Sequence, residues 1–221
     1  MQLRDVPDWA YLLQEFDSLY RQSSSGGSKA IRSHRKRVRE ALSAVIDGNP
    51  ELIDRQPQVK PVTAHLGRAF EIAARAGVSR LSRTLERVSH LLTWEYGYQS
   101  VPKALAQKYA YCEILGSIGP IRSERLILGF VLFAPNTVYP RHSHHEIEES
   151  YISVAGAWSE NEMAVYAPGS MVLNMPGHEH RITTGEHDPC LLAYAWIGPD
   201  ERLAQPGMKF SKVRKRLEQG I

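Results

Sequence analysis

Apolar residues in the first hundred positions recur every three or four residues, which is the spacing of amphipathic helices. The clearest stripe predicts one face of a helix, formed by Trp9, Leu12, Leu13, Phe16, Leu19 and Tyr20. Three further helices are predicted around positions 38–45, 66–76 and 81–92. The helix around 38–45 is expected to end at the stop signal Gly48–Asn49–Pro50. The Ser/Gly-rich run 23–28, which precedes this helix, predicts a flexible linker.

Beyond residue 105 the pattern changes to short runs of β-branched and aromatic residues that Gly and Pro separate. Six of these runs have the length of strands: 125–134, 150–155, 163–167, 171–175, 181–184 and 191–197. Many short strands at this spacing favour a closed barrel or a double-sheet jelly roll. The sequence therefore predicts a mainly β protein with α-helices, organised as a helical region 1–105, a β-barrel 106–205 and a basic tail 206–221.

Composition and charge exclude several classes of protein. The 221 residues include two cysteines, too few for a disulfide framework or a cysteine-ligated zinc site. No apolar run approaches the roughly 18 residues of a membrane helix, and the N-terminus lacks the order of a secretory signal, so we expect a cytoplasmic protein with no membrane partner. The net charge is only +3, and the basic run Arg32–Arg39 reads as a solvated helix face, so no nucleic-acid partner is expected.

Histidines concentrate in the predicted barrel, where six of the nine lie between positions 142 and 187. The pair His142 and His144 places two rings on the same side of an extended chain, because alternate residues share a face. Glu149 follows a few residues later, and His180 comes after a Pro–Gly turn. Three imidazoles and one carboxylate suit a divalent transition metal ion, namely Zn, Fe, Mn, Ni or Co.

Two other histidines compete for this ligand set. His145 lies four residues before Glu149, on the same strand parity, so it could replace His144 or His142. We favour the original pair because a turn before Glu149 would reset the parity. His178 competes with His180, but it falls in the predicted turn and is expected to face solvent. Glu148 is also expected to point to solvent, since neighbours on a strand face opposite ways.

Two motifs in this region resemble those of the cupin superfamily. The first is formed by His142, His144, Glu149 and Gly156, and the second by Gly169, Pro176, Gly177 and His180. The usual Pro-x-Gly of the second motif is replaced here by adjacent Pro and Gly. The resemblance implies a conical barrel of antiparallel strands, a cupin double-stranded β-helix, with the metal inside.

A narrower resemblance concerns the cupin-type dimethylsulfoniopropionate (DMSP) lyases. It is carried by Tyr139–Pro140, Glu148–Glu149-x-Tyr151, Gly156-x-Trp158, Pro168–Gly169 and Tyr194-x-Trp196. A helical region before a C-terminal cupin is most similar to the "L" branch of these lyases. The resemblance implies a metal-dependent carbon–sulfur lyase that cleaves a small sulfonium carboxylate, DMSP, to dimethyl sulfide and acrylate by α-proton abstraction and β-elimination.

The same resemblance implies roles for four aromatic residues. Tyr151 would be the general base, and Tyr139 is a second catalytic candidate that could instead only line the mouth of the barrel. Trp158 and Trp196 would be aromatic walls that attract the sulfonium cation, although both are also plausible packing residues. Alternative functions are a cupin dioxygenase or isomerase acting on a small carboxylate, and a cupin ligand-binding regulator. The N-terminal helices are expected to pack on the barrel and cover an edge or an opening of it. The sequence leaves open whether the protein forms a homodimer.

Overall fold

The computed structural model describes residues 1–22, 28–98 and 100–206, together with the backbone of 209–210. Nearly all of the predicted Ser/Gly linker and of the predicted basic tail lies outside these residues. The described residues form six α-helices: α1 Pro7–Gln22, α2 Lys29–Gly48, α3 Leu66–Ala74, α4 Ser79–Val88, α5 Lys103–Ala106 and α6 Asp200–Ala204. None of the described helices is both long and apolar enough to cross a membrane. The four helices predicted from apolar spacing correspond to α1–α4.

The second helix shows how local sequence sets helix bounds. It begins after Ser28, whose hydroxyl accepts a hydrogen bond from the backbone N–H of Ile31 at 3.2 Å. Such a cap satisfies one of the free N–H groups of the first turn. The helix ends at Asn49, which adopts a left-handed conformation with φ of 46°. The predicted stop signal therefore acts at this position.

Eleven strands follow: β1 Tyr109–Gly116, β2 Ile121–Arg122, β3 Ile127–Phe133, β4 Val138–Ser143, β5 Glu148–Ala155, β6 Trp158–Glu160, β7 Val165–Tyr166, β8 Met171–Asn174, β9 His180–Thr184, β10 Cys190–Ile197 and β11 Lys209–Phe210. They make a six-stranded sheet in the order β2-β1-β3-β10-β5-β8 and a five-stranded sheet in the order β11-β4-β9-β6-β7. The strand pairs are antiparallel apart from β1 with β2. The predicted double-sheet cupin architecture is confirmed. Strands β1, β2, β4, β6 and β11 were not among the six predicted runs.

The two faces of the larger sheet bury different cores, and this places the helices. In β3, Phe130 and Leu132 pack with the helical layer, whereas Val131 and Phe133 face the interior of the barrel. Strand β10 alternates in the same way, so both strands are buried on both faces and read as continuous apolar runs. The helices therefore cover the outer face of the six-stranded sheet. The helices thus pack on the barrel, as expected, and they do so against the outer face of this sheet.

A buried polar network joins the helical layer to β5. The His34 Nε2 and Nδ1 atoms lie 2.8 Å from Ser150 Oγ and 3.1 Å from Glu148 Oε2, and the Tyr20 hydroxyl lies 2.8 Å from the same Ser150 oxygen. Because a carboxylate only accepts, His34 donates from Nδ1 and accepts the Ser150 proton at Nε2. Burial lowers the pKa of His34, in agreement with this neutral form. Arg37 also pairs with Glu148.

This network corrects two expectations. Glu148 points away from Glu149, as predicted, but it faces the helices rather than solvent, because a cationic and a neutral partner reach it from α2. The basic run Arg32–Arg39 is likewise more than a solvated face. Within it, Arg35 also donates to the backbone carbonyl of Tyr20 at 2.7 Å, near the C-terminal end of α1.

Replacing His34 by leucine should lower the free energy of unfolding by about 2–4 kcal/mol, because Ser150 and Glu148 each lose a buried partner. Urea titration followed by circular dichroism measures the change. His90→Leu is the matched control, since His90 is exposed in the same helical layer and should change stability by less than about 0.5 kcal/mol. Equal unfolding midpoints for the two variants would contradict the structural role of the network.

Candidate active site

The structure brings together the four residues of the predicted ligand set. His142 lies on β4 opposite His180, the first residue of β9, and His144 follows in the turn after β4. Glu149 comes from β5, in the other sheet. All four are buried, and one ligand atom from each lies within 4.8 Å of the others. The two sheets thus converge on one point inside the barrel.

Hydrogen bonds orient two of the imidazoles. His142 Nδ1 donates to the carbonyl of Pro140 at 2.9 Å, and His180 Nδ1 donates to the carbonyl of His178 at 3.2 Å. Since a carbonyl only accepts, Nδ1 carries the proton in both rings and a neutral ring keeps its lone pair on Nε2. Partners of this kind commonly fix the tautomer of histidines that bind metals.

Three buried ligand atoms at this point make no hydrogen bond with any described residue: His144 Nε2, His180 Nε2 and Glu149 Oε2. The two nitrogens lie 3.3 and 3.0 Å from the carboxylate oxygen, without hydrogen-bond geometry. Buried polar atoms without partners are costly, so their convergence calls for a group that binds all of them. A divalent cation fits this donor set, which combines neutral imidazoles and one carboxylate.

The charges at the cluster agree with this interpretation. Burial and the neighbouring His180 lower the pKa of His142 to about 3, so this ring is neutral. Burial raises the pKa of Glu149, but the adjacent His144 and His180 overcome that effect and hold the pKa well below its usual range. Burial lowers the pKa of His180, but contact with Glu149 raises it by more. The charge on Glu149 favours the protonated form of His180 in the protein alone, and a cation bound in the cluster would take the place of that proton.

The competing histidines lie outside the cluster. The side chain of His145 is 79% exposed, and it contacts Glu146. Glu146 has a φ of 60°, and this turn resets the strand parity before Glu149, as expected. His178 is exposed in the segment before β9, where its Nδ1 lies 3.1 Å from Asn174 Oδ1.

A small cavity of about 30 Å³ opens beside the cluster inside the barrel. Its wall is largely aromatic and contains two of the four ligands; it is formed by Tyr109, Tyr111, Val131, Phe133, Tyr139, His142, Glu149, Tyr151, Tyr194 and Trp196. Three of the four predicted aromatic site residues therefore line this inner cavity. The exception is Trp158, which lies behind Tyr151 with ring centroids 5.9 Å apart and donates to Ser153 Oγ at 2.6 Å.

The three lining residues have distinct environments. Tyr151 shares a strand face with Glu149, and its ring lies 6.1 Å from that of His180; burial and the Glu149 charge raise its pKa well above 10. The hydroxyl of Tyr139 donates to that of Tyr98 at 3.0 Å. Trp196 Nε1 donates to Glu149 Oε1 at 2.7 Å, which leaves Oε2 directed at the two imidazoles.

Sequence reasoning missed several members of the cavity. Tyr109 and Tyr111 alternate on β1, one of the strands that were not predicted, and Tyr194 was quoted only as part of a motif. Burial raises the pKa of Tyr109 to about 12. Two tyrosines at alternate positions are a signal for a strand, but these positions lie next to the region that was assigned to helices. The hydrogen bond from Trp196 to Glu149 had no signal in the sequence.

Comparison with known proteins identifies relatives of this chain. Residues 34–192 match the model of the dimethylsulfoniopropionate lyase family. A protein of Cereibacter sphaeroides, provisionally named dimethylsulfoniopropionate lyase DddL, is 68% identical over 222 residues, which cover 100% of this chain and 96% of that protein.

Two solved structures share the fold. The crystal structure of the DMSP lyase DddQ from Ruegeria pomeroyi has a TM-score of 0.65 and 20% identity, covering 87% of this chain and 92% of that chain. A chain from the crystal structures of the DMSP lyases RdDddP and RnDddQII has a TM-score of 0.66 and 18% identity, covering 93% and 98%. At these identities the similarity concerns architecture.

Proposed function

Since the chain belongs to the dimethylsulfoniopropionate lyase family, we propose that it cleaves DMSP to dimethyl sulfide and acrylate with one divalent metal ion. The proposed ligands are His142, His144, Glu149 and His180. One observation carries the proposal: four buried ligand atoms lie within 4.8 Å of one another at the wall of an aromatic cavity.

The reaction needs a base and no oxidant. A base removes the α-proton of DMSP, and the electron pair of that C–H bond becomes the second bond between the α- and β-carbons. The β-carbon–sulfur bond breaks, and its electron pair leaves with sulfur as neutral dimethyl sulfide. When bound, the metal ion would supply a fixed positive charge that holds the substrate carboxylate and makes the α-proton more acidic.

Tyr151 is the proposed base. It lines the cavity two residues from Glu149 on the same face of β5, which places its hydroxyl beside the ligand set. Burial and the Glu149 charge raise its pKa in the protein alone, so a compensating positive charge at the ligands favours the phenolate. Tyr139 is the second candidate, since it also lines the cavity and lies against His142, with ring centroids 4.9 Å apart.

The tryptophans have supporting roles in this proposal. Trp196 presents part of the cavity wall to the sulfonium and holds one oxygen of Glu149 through its indole N–H. Trp158 packs between Tyr151 and Tyr166 and would act on the substrate only by fixing the Tyr151 ring.

A gas-phase assay tests the function. We expect the metal-loaded protein to release dimethyl sulfide and acrylate from DMSP in equal amounts, at the same rate in air and under argon. Treatment with a chelator should stop the release, and addition of divalent metal should restore it. Oxygen-dependent turnover would instead support the dioxygenase alternative, and the absence of dimethyl sulfide would overturn the proposal.

A further inference from the structure

A second and larger cavity adjoins the inner cavity. Its volume is about 400 Å³, against about 30 Å³ for the inner cavity beside the ligand cluster. Tyr111, Tyr194 and Trp196 line both cavities and so form the partition between them. The inner cavity has room for about one water molecule, whereas the outer one can hold a small organic molecule. We call the larger space the outer cavity.

A carboxylate, that of Glu113, lines the outer cavity. Across the inner face of the sheet, Glu113 pairs with Gly129, and Gly129 pairs with Tyr194. A Cβ at position 129 would lie 2.6 Å from the Tyr194 hydroxyl oxygen, so the phenol ring extends over this glycine from β10 towards β1. The missing side chain at position 129 therefore lets the tyrosine and the carboxylate border the same space.

Backbone groups fix the position of Glu113, which is 8% exposed. Its Oε1 atom accepts hydrogen bonds from the N–H groups of Ile118 at 2.7 Å and Gly119 at 2.8 Å. Gly116, at φ of 148°, leaves the space that this oxygen occupies, because a Cβ there would collide with it. The carboxylate is thus held rigidly at the wall of the cavity rather than free to turn towards bulk solvent.

This carboxylate lacks a cationic side-chain partner among the described residues. The guanidinium of Arg55, which acts on this carboxylate electrostatically, is paired with Glu95 at 3.1 Å and also bonds the carbonyl of Ile118. Burial raises the pKa of Glu113 to about 7, which reflects a poorly solvated carboxylate. A poorly solvated negative charge without an ion pair is stabilised by any cation that enters the cavity.

We propose that the outer cavity is a recognition site for methylated onium cations, with Glu113 as the counter-charge and the rings of Tyr111 and Tyr194 as walls. Sulfonium and quaternary ammonium groups have no N–H or O–H to donate, so charge and aromatic faces are the means of binding them. The site would hold the sulfonium end of the substrate in the outer cavity while its carboxylate end approaches the ligand cluster past the aromatic partition. For the identity of that substrate, the inference rests on the proposed function.

The test compares Glu113→Gln with the parent enzyme in its metal-loaded form. The glutamine oxygen can still accept the Ile118 and Gly119 hydrogen bonds, so only the charge is lost. We expect KM for DMSP to rise about tenfold or more while kcat changes less than about threefold. Inhibition by acrylate, which has no cationic group, should be unchanged. Glu124→Gln is the matched control, since it removes an exposed carboxylate that does not line the outer cavity, and KM should stay within about twofold.

Binding of tetramethylammonium, measured by calorimetry, tests the cation site independently of the proposed lyase activity. If the parent protein releases no dimethyl sulfide, the proposed function fails, but loss of tetramethylammonium binding in Glu113→Gln would still support the cation site. Ser117→Lys provides a second variant, because Ser117 lines the same cavity and a lysine there would neutralise the site with the Glu113 hydrogen bonds intact. It should weaken tetramethylammonium binding as well. Unchanged KM and unchanged tetramethylammonium affinity in these variants would overturn the inference.

Discussion

Replacing Glu149 by glutamine should abolish the release of dimethyl sulfide and remove the bound metal. The change keeps the size of the side chain and an oxygen that can accept the Trp196 hydrogen bond, so the packing of the cavity wall should persist. It removes the negative charge that balances the cation. We expect turnover to fall by more than about 100-fold, beyond the usual effect of losing a residue that merely supports a ligand. His144→Ala and His180→Ala should have the same outcome, because each removes one of four ligand atoms.

Metal content per protein chain, measured by elemental analysis, checks this prediction. His145→Ala is the control, since that side chain is exposed and lies outside the cluster. Full metal occupancy in the Glu149, His144 and His180 variants would contradict the ligand assignment. Loss of metal from His145→Ala but not from His144→Ala would place the assignment one residue out of register.

The ligand set could be proposed from the sequence because its signals are local. Alternation within β4 presents His142, the following turn presents His144 and resets the parity, and β5 then begins beside Glu149. His180 opens the strand that pairs with β4, directly after a Pro–Gly turn. Each step uses only turn chemistry and the two-residue period of a strand.

The remainder of the site depends on contacts between distant parts of the chain. Glu113 and Tyr194 are separated by 81 positions and share a cavity only through the register of β1, β3 and β10. Likewise, His34 lies on a helix that gives no sign of its contact with β5, 114 residues away. Strand register and helix docking are tertiary properties, so neither the outer cavity nor the buried network could be inferred from local patterns.

Strand β5 connects these two parts of the molecule. Glu149 and Tyr151 face the cavity, while the alternating residues Glu148 and Ser150 are bonded to the helical layer. A shift of one residue in this strand would exchange the two sets and destroy both sites. The helical layer therefore fixes the register of the strand that carries a proposed ligand and the proposed base.

Replacing Tyr151 by phenylalanine should lower kcat by about 100-fold or more, the usual scale for the loss of a general base. The ring stays, so packing against Trp158, metal content and the unfolding midpoint should be unchanged. KM should change far less than kcat, because the carboxylate and sulfonium of the substrate keep their proposed contacts. A base acts in its deprotonated form, so the rate of the parent enzyme should rise as the pH rises through the pKa of the phenol in the metal-loaded protein. That alkaline rise should be absent from the variant.

Tyr166→Phe is the matched control for this experiment. Tyr166 packs on the other side of Trp158, at a ring distance of 4.9 Å, and is not among the residues that line the inner cavity. Removing the Tyr166 hydroxyl should leave kcat within about twofold of the parent value and should preserve the pH profile. Near-normal turnover in Tyr151→Phe would remove that residue from the mechanism. The same pair of measurements on Tyr139→Phe would then decide whether the hydroxyl beside His142 takes the proton instead.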